Sequence, residues 1–209
     1  MTHIGHSEKV FNMKRLLLIL ILTFSFQSLI KADGIKDFEI EGMSIGDSLQ
    51  IYLDNKKIKN YDIADYFKSD KITSYKTTLS NFKDFKRVDI SFYTKDKKKK
   101  ILAISGLISL NYNDCIKMKK KISSSVKEVL IGEEYQLKEK TEKHAIDKTG
   151  KSKTYTDYFY LGPYKKNQYQ DLIAVQCLDF SEELTYTDGL KLYVVKGEYV
   201  DWLENEAYK

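Results

Sequence analysis

One helical stripe stands alone among segments that alternate like strands. Cys115, Met118, Ile122, Val126 and Val129 recur at steps of 3, 4, 4 and 3. That spacing puts all five on one face of a helix from about Tyr112 to Leu130, ending near Gly132. Lys117, Lys120, Lys121 and Lys127 fall largely on other faces. A single long helix between two runs of strands excludes a fold built on regular strand–helix alternation.

The strands before it read Lys71–Leu79, Arg87–Tyr93 and Ile101–Leu110. In the second, Val88, Ile90 and Phe92 alternate with Arg87, Asp89 and Ser91, a half-buried pattern. The third is apolar on both faces, which suits a central strand. After the helix come Tyr135–Ile146, Lys153–Leu161, Leu172–Phe180 and Leu190–Val195, then a last helix over Glu198–Tyr208. Near the start, Ser44 is placed to cap a helix over Ile45–Leu53, with Asp47 at its third position. A second short helix is expected over Tyr61–Phe67. The order ααβββ-αββββα, with short turns between strands, predicts an α+β fold. Antiparallel sheet carries helices packed on one face, and two halves meet near residue 110.

Residues 14–32, KRLLLILILTFSFQSLIKA, have the form of a secretory signal peptide. Lys14 and Arg15 make the basic head. The apolar run from Leu16 to Ile30 is shorter than the roughly 20 residues of a membrane span. Cleavage is expected near Ala32, leaving 33–209 as a single exported domain in the periplasm or outside the cell. Met13 is the better start for such a leader, and residues 1–12 read as an extension. Asp33 follows the cut where a lipid-anchored protein would carry a cysteine. Without residues 1–32 the chain loses four basic side chains and one acidic one, so its net charge falls from +5 to +2. Only Arg15 and Arg87 are arginines. Lysine lacks the planar fork that reads bases, so a nucleic-acid partner is not expected.

Cys115 and Cys177 are the only cysteines. In an exported chain such a pair most simply forms a disulfide. Cys177 alternates with Val175 and Ile173 on one strand face, and a helix laid on that face would bring Cys115 to it. One histidine, His144, remains beyond the leader, in a Lys- and Glu-rich hairpin where a solvated surface position is expected. With the cysteines paired, no zinc set remains, and neither a metal nor another cofactor is expected.

Residues 41–50, EGMSIGDSLQ, match two hydrolase patterns. Gly42–Gly46 reads as G-x-S-x-G around Ser44, and Gly46-Asp47-Ser48-Leu49 as the first block of the GDSL esterases. Asn111-Tyr112-Asn113-Asp114 resembles that family's G-x-N-D block, with Asn111 in place of Gly. Its D-x-x-H block is broken, because Thr141 stands where the Asp should precede His144. The family also needs a parallel sheet with alternating helices. An esterase using Ser48 is therefore the alternative; a turn opening a helix is the expectation.

Two stretches are candidate binding surfaces. The turn Lys95-Asp96-Lys97-Lys98-Lys99-Lys100 carries Lys97, Lys98, Lys99 and Lys100 toward an anionic membrane surface. Tyr155, Tyr158, Tyr160, Tyr164 and Tyr169 form a second set, suited to an envelope protein. Both also have plainer explanations, as a solvated turn and as strand-favouring aromatics.

Three stretches carry a family resemblance: DFEIEGMSIGDSL after the leader, the N-D-C before the lysine-rich helix, and the ending DGLKLYVVKGEYVDWLENEAY. They resemble an uncharacterised family of small exported proteins from marine alphaproteobacteria. The resemblance covers 33–209 and implies export, with no established activity. At the level of fold, the G-M-S-x opening before helices and three strands is similar to envelope modules of the outer-membrane-assembly lipoprotein type. The expected function is an exported binding or interaction module, its ligand unknown, without catalysis of its own.

Overall fold

The structure is a computed structural model that describes residues 34–53, 62–63, 67–77, 82–145, 147–166 and 168–209. One compact unit runs from Ala32 to Lys209. Its order begins with a short 3-10 helix, Gly34–Asp37, then β1 (Glu39–Ile40), β2 (Met43–Ser44), α1 (Leu49–Tyr52) and β3 (Asp62–Ile63). The first large strands are β4 (Ile72–Thr77), β5 (Arg87–Tyr93) and β6 (Ala103–Ser109). Then follow α2 (Tyr112–Val129), β7 (Tyr135–Lys143), β8 (Lys153–Leu161), β9 (Asp171–Asp179), β10 (Gly189–Val195) and α3 (Gly197–Asn205).

The chain is α+β, as the strand and helix patterns predict. Strands β3 to β10 form one antiparallel sheet in the order β3-β4-β5-β6-β10-β9-β8-β7. It consists of two four-stranded meanders joined along β6 and β10, so the two expected halves share a single sheet. At that seam Ser109 pairs with Gly189 and Ala103 with Val195.

Alternation gives the sheet two unlike faces. On the core face lie Val88, Ile90, Phe92, Ile104, Phe159, Ile173, Val175, Cys177, Leu190, Leu192 and Val194, all buried in one cluster. Helix α2 lies on β9 and β10, adding Cys115, Val126 and Leu130 to this cluster. The N-terminal segment adds Ile35, Ile40, Met43, Ile45, Leu49 and Leu53. Phe85 folds over the first meander, and its ring occupies the space a Cβ on Gly106 would need. Helix α3 sits instead on the opposite face, where Trp202 packs with Ile72, Leu102 and Tyr93, so the helices divide between the two faces.

The disulfide is present. Cys115 and Cys177 are bonded with Cα atoms 5.8 Å apart, inside the range that a bridge spans without strain. Beside it Lys119 pairs with Asp157 on β8, and Ser123 Oγ donates to the same carboxylate at 2.6 Å. The two charged side chains are only 13% and 8% exposed.

The start of the chain differs from expectation. Ser44 ends β2 rather than capping a helix, and α1 begins only at Leu49, with Ser48 in the cap position. Gly46 has φ +90°, a backbone state that halts any helix beginning there. Of the helix expected over Tyr61–Phe67, the described residues Asp62 and Ile63 form strand β3 and Phe67 is in no helix; the rest lies outside the described residues. β1 and β2 join through Glu41 and Gly42, both at positive φ, as a two-residue hairpin turn demands. The Glu41 carboxylate then accepts the N–H groups of Lys83, Asp84 and Phe85, which ties the hairpin to the loop after β4.

Candidate functional site

Strand polarity sorts the candidate residues to two ends of the sheet. The turn 94–102, the loop 162–170 and the segment 131–134 share one end, which we call the lysine end. The segments 82–86, 110–111, 144–152 and 180–188 share the far end. A seven-residue strand separates the ends by about 20 Å.

Ser48 belongs to the lysine end. Its Oγ donates to the Lys98 carbonyl at 2.6 Å. Leu49 N–H donates to the Lys99 carbonyl at 3.1 Å, Ile101 N–H to the Asp47 carbonyl at 2.9 Å, and Gly46 N–H to the Ile101 carbonyl at 2.9 Å. Gln50 Nε2 donates to the Lys97 carbonyl at 2.9 Å. The Gly46–Leu49 stretch is thus an extra rung laid along the lysine turn. Asp96 fixes the turn from within, accepting Lys98 N–H at 3.0 Å and Lys100 N–H at 2.9 Å. These two bonds hold its carboxyl below the ordinary range.

Asn113 and His144 belong to the far end. Asn111 caps α2, its Oδ1 accepting Asp114 N–H at 3.0 Å, so the N-Y-N-D block is a helix start. His144 is half-buried against Phe180, ring centres 4.9 Å apart, which lowers its pKa. It is less solvated than its Lys- and Glu-rich neighbours suggest. Ser48 and His144 therefore sit at opposite ends of the sheet, and the structure does not assemble an esterase centre. Replacing Ser48→Ala should leave the rate of ester hydrolysis unchanged from that of the unaltered protein. It should lower stability by about 1 kcal/mol through loss of the Lys98 bond. A chromogenic ester assay and a thermal melt read both.

At the far end Asp147 organises the β7–β8 turn. It accepts Ser152 N–H at 2.7 Å, Ser152 Oγ at 2.6 Å and Thr149 Oγ1 at 2.6 Å. These bonds, with the Ser152 hydroxyl foremost, hold its pKa well below the ordinary 3.8. A depressed carboxyl pKa stabilises the fold above its unfolded value, and the contribution is lost as pH falls through the folded value. Melting temperature should therefore drop as pH is lowered below about 4, and Asp147→Asn should remove part of that dependence. Beside this turn, an open depression of about 540 Å³ lies between Leu110–Asn111 and the loop 180–188. Among the described residues no cluster of His, Cys, Asp or Glu could hold a metal.

The tyrosine set divides by parity. Tyr155 pairs with Cys177 on the core face and packs on Tyr112, centres 5.3 Å apart. Tyr158 and Tyr160 lie on the other face, stacked 6.1 Å apart, with Lys140 Nζ 5.7 Å from the Tyr158 ring centre. Tyr164 and Tyr169 are in the loop 162–170. On the face with Tyr158 the register aligns Tyr158, Ala174, Tyr193, Ser105 and Asp89 across five strands. The next row holds Thr156, Gln176, Lys191, Leu107 and Arg87.

These side chains are interlocked. Gln176 Nε2 donates to Thr156 Oγ1 at 2.9 Å, and Tyr193 OH donates to Gln176 Oε1 at 3.0 Å. Lys191 Nζ reaches Asp89 Oδ2 at 3.1 Å and lies 4.8 Å from the Tyr193 ring centre. Arg87 Nε is 3.0 Å from Asp89 Oδ1, but without hydrogen-bond alignment, leaving both atoms without such a bond. Burial, then the Asp89 charge, pushes the Tyr193 phenol up. Side chains from four strands are thereby held in fixed positions around the buried Ala174 and Ser105. The residues of this network beyond Tyr158 and Tyr160 escaped the sequence reading. Their signal was the polar half of each alternating strand. Comparison with family models, with curated proteins and with solved structures found no match.

Proposed function

We propose that the chain is an exported binding module without catalysis of its own, which meets an envelope protein through the polar face of the second meander. The patch running from Tyr158 through Gln176 and Tyr193 to Lys191 carries this reading. Its groups are half-buried, of mixed hydrogen-bonding character, and fixed by neighbours on a rigid sheet. A pre-positioned surface loses little side-chain entropy on binding, and stacked tyrosines offer contact area at low entropic cost. Export is supported by the basic head and apolar run of residues 14–32, and by a disulfide of the kind that persists in oxidising compartments. The resemblance to exported proteins of marine alphaproteobacteria favours the same compartment.

The test is a pull-down from periplasmic extract with residues 32–209 as bait, beside a Tyr158→Ala/Tyr160→Ala bait. A partner held by the first and released by the second is the expected result. Equal capture by both would remove the face from consideration. N-terminal sequencing of the exported product should begin at or near Asp33. A product that starts at Met13 and stays membrane-anchored would overturn the compartment.

A further inference from the structure

Among the described residues, the most exposed apolar side chains gather at one end of the sheet. The three most exposed there are Ile131 at 80%, Tyr164 at 76% and Ile51 at 73%. All three sit at the lysine end: Ile51 on α1 against the lysine turn, Ile131 between α2 and β7, Tyr164 between β8 and β9. From the β5–β6 turn to β7 the sheet is about 24 Å wide, so these three side chains are fingers along a broad edge, not the wall of one groove. Lysines accompany them. Lys95, Lys97, Lys98 and Lys100 are exposed around Ile51, and Lys165 and Lys166 follow Tyr164.

The acidic groups nearby are partly committed. Asp96 accepts backbone N–H groups inside the turn. Asp47 accepts Ser44 N–H at 3.0 Å and Tyr52 OH at 2.6 Å. Half-buried Glu133 and exposed Glu134 stand beside Ile131, and Asp201 and Glu204 are exposed on α3, over the polar face. The turn itself keeps five ammonium groups against the single Asp96 carboxylate. Its backbone is fixed on both sides, so its cations are presented without a prior ordering step.

The geometry points to the lysine end as a docking edge for an anionic lipid bilayer. Ile51, Ile131 and Tyr164 enter the headgroup layer, and Lys97, Lys98 and Lys100 lie against lipid phosphates. A flat, fluid anionic surface fits scattered fingers and lysines that read no particular shape. A folded acidic protein would need a complementary surface to cover three separated apolar groups. This edge is distinct from the polar face, and its test does not involve Tyr158 or Tyr160.

Residues 32–209 should co-sediment with vesicles of equal parts phosphatidylglycerol and phosphatidylcholine, and not with phosphatidylcholine alone. Added salt should release the protein. Each lysine near such a surface contributes about fivefold in partition, so Lys97→Gln/Lys98→Gln/Lys100→Gln should weaken binding about a hundredfold. The emission of an Ile51→Trp variant should shift to the blue with anionic vesicles; Trp202, fully buried, supplies a constant background. Equal binding to both vesicle types, an unweakened triple variant, or an unshifted Ile51→Trp spectrum would each overturn the docking edge. Capture by polyglutamate without capture by vesicles would assign it to an acidic protein instead.

Discussion

Reduced, or carrying Cys177→Ser, residues 32–209 should lose about 4 kcal/mol of stability. The bond closes a loop of 62 residues, and freeing it returns that loop's entropy to the unfolded chain. For a domain of this size the melting temperature should fall by about 10 °C. The loss also loosens a particular contact. Cys115 is in the first turn of α2, and Cys177 is on β9, the strand that α2 covers most closely. The bond therefore pins the helix start while Val126 and Leu130 hold its end. Thermal melts with and without a reductant decide the matter. An unchanged melting temperature in a protein shown by mass to be reduced would mean that packing alone seats the helix.

Asp157→Leu should cost about 3–5 kcal/mol, because it leaves the Lys119 ammonium buried without its partner. Lys119→Met alone should cost about as much, stranding the carboxylate. The double variant, Lys119→Met/Asp157→Leu, should return close to the stability of the unaltered protein or exceed it, since neither desolvated charge remains. Ser123 loses an acceptor in that variant, but a serine within a helix can turn to the carbonyl four residues back. Urea unfolding of the three variants measures the coupling. Additive losses would show that the pair is solvated in practice and that its charges act independently.

Much of the fold could be read from local pattern. The long helix and seven of the eight sheet strands fall within a few residues of where periodicity and alternation place them, and all but β7 turn a buried stripe to the core. What failed was structure that local sequence does not own. Ser44 and Asp47 look like a helix start, yet the backbone from Gly46 to Leu49 bonds to the lysine turn about fifty residues later, and that pairing displaced the helix. Strands β1, β2 and β3 have two residues each, too few for alternation to register. Lys119 falls four residues after Cys115, on the buried stripe, and only the approach of Asp157 explains a lysine there. The tyrosine set was grouped by composition, whereas counting odd and even positions along β8 would have parted Tyr155 from Tyr158 and Tyr160. The polar network spans strands far apart in sequence, so no single segment announces it.

The seam between the meanders has a consequence for how the chain reaches its folded state. β10 is the last strand, yet it lies in the middle of the sheet, pairing on one side with β6 some 80 residues earlier. Until Gly189–Val195 is free to move, β6 and β9 both present open edges, and the core beneath them is divided in two. Without β10 between them, the sheet cannot close. Pairing across so long a separation also pays a large loop-closure cost before any reward, which makes such folding slow. The strand order thus makes β10 a keystone, and the two meanders stay unjoined until it is seated between β6 and β9.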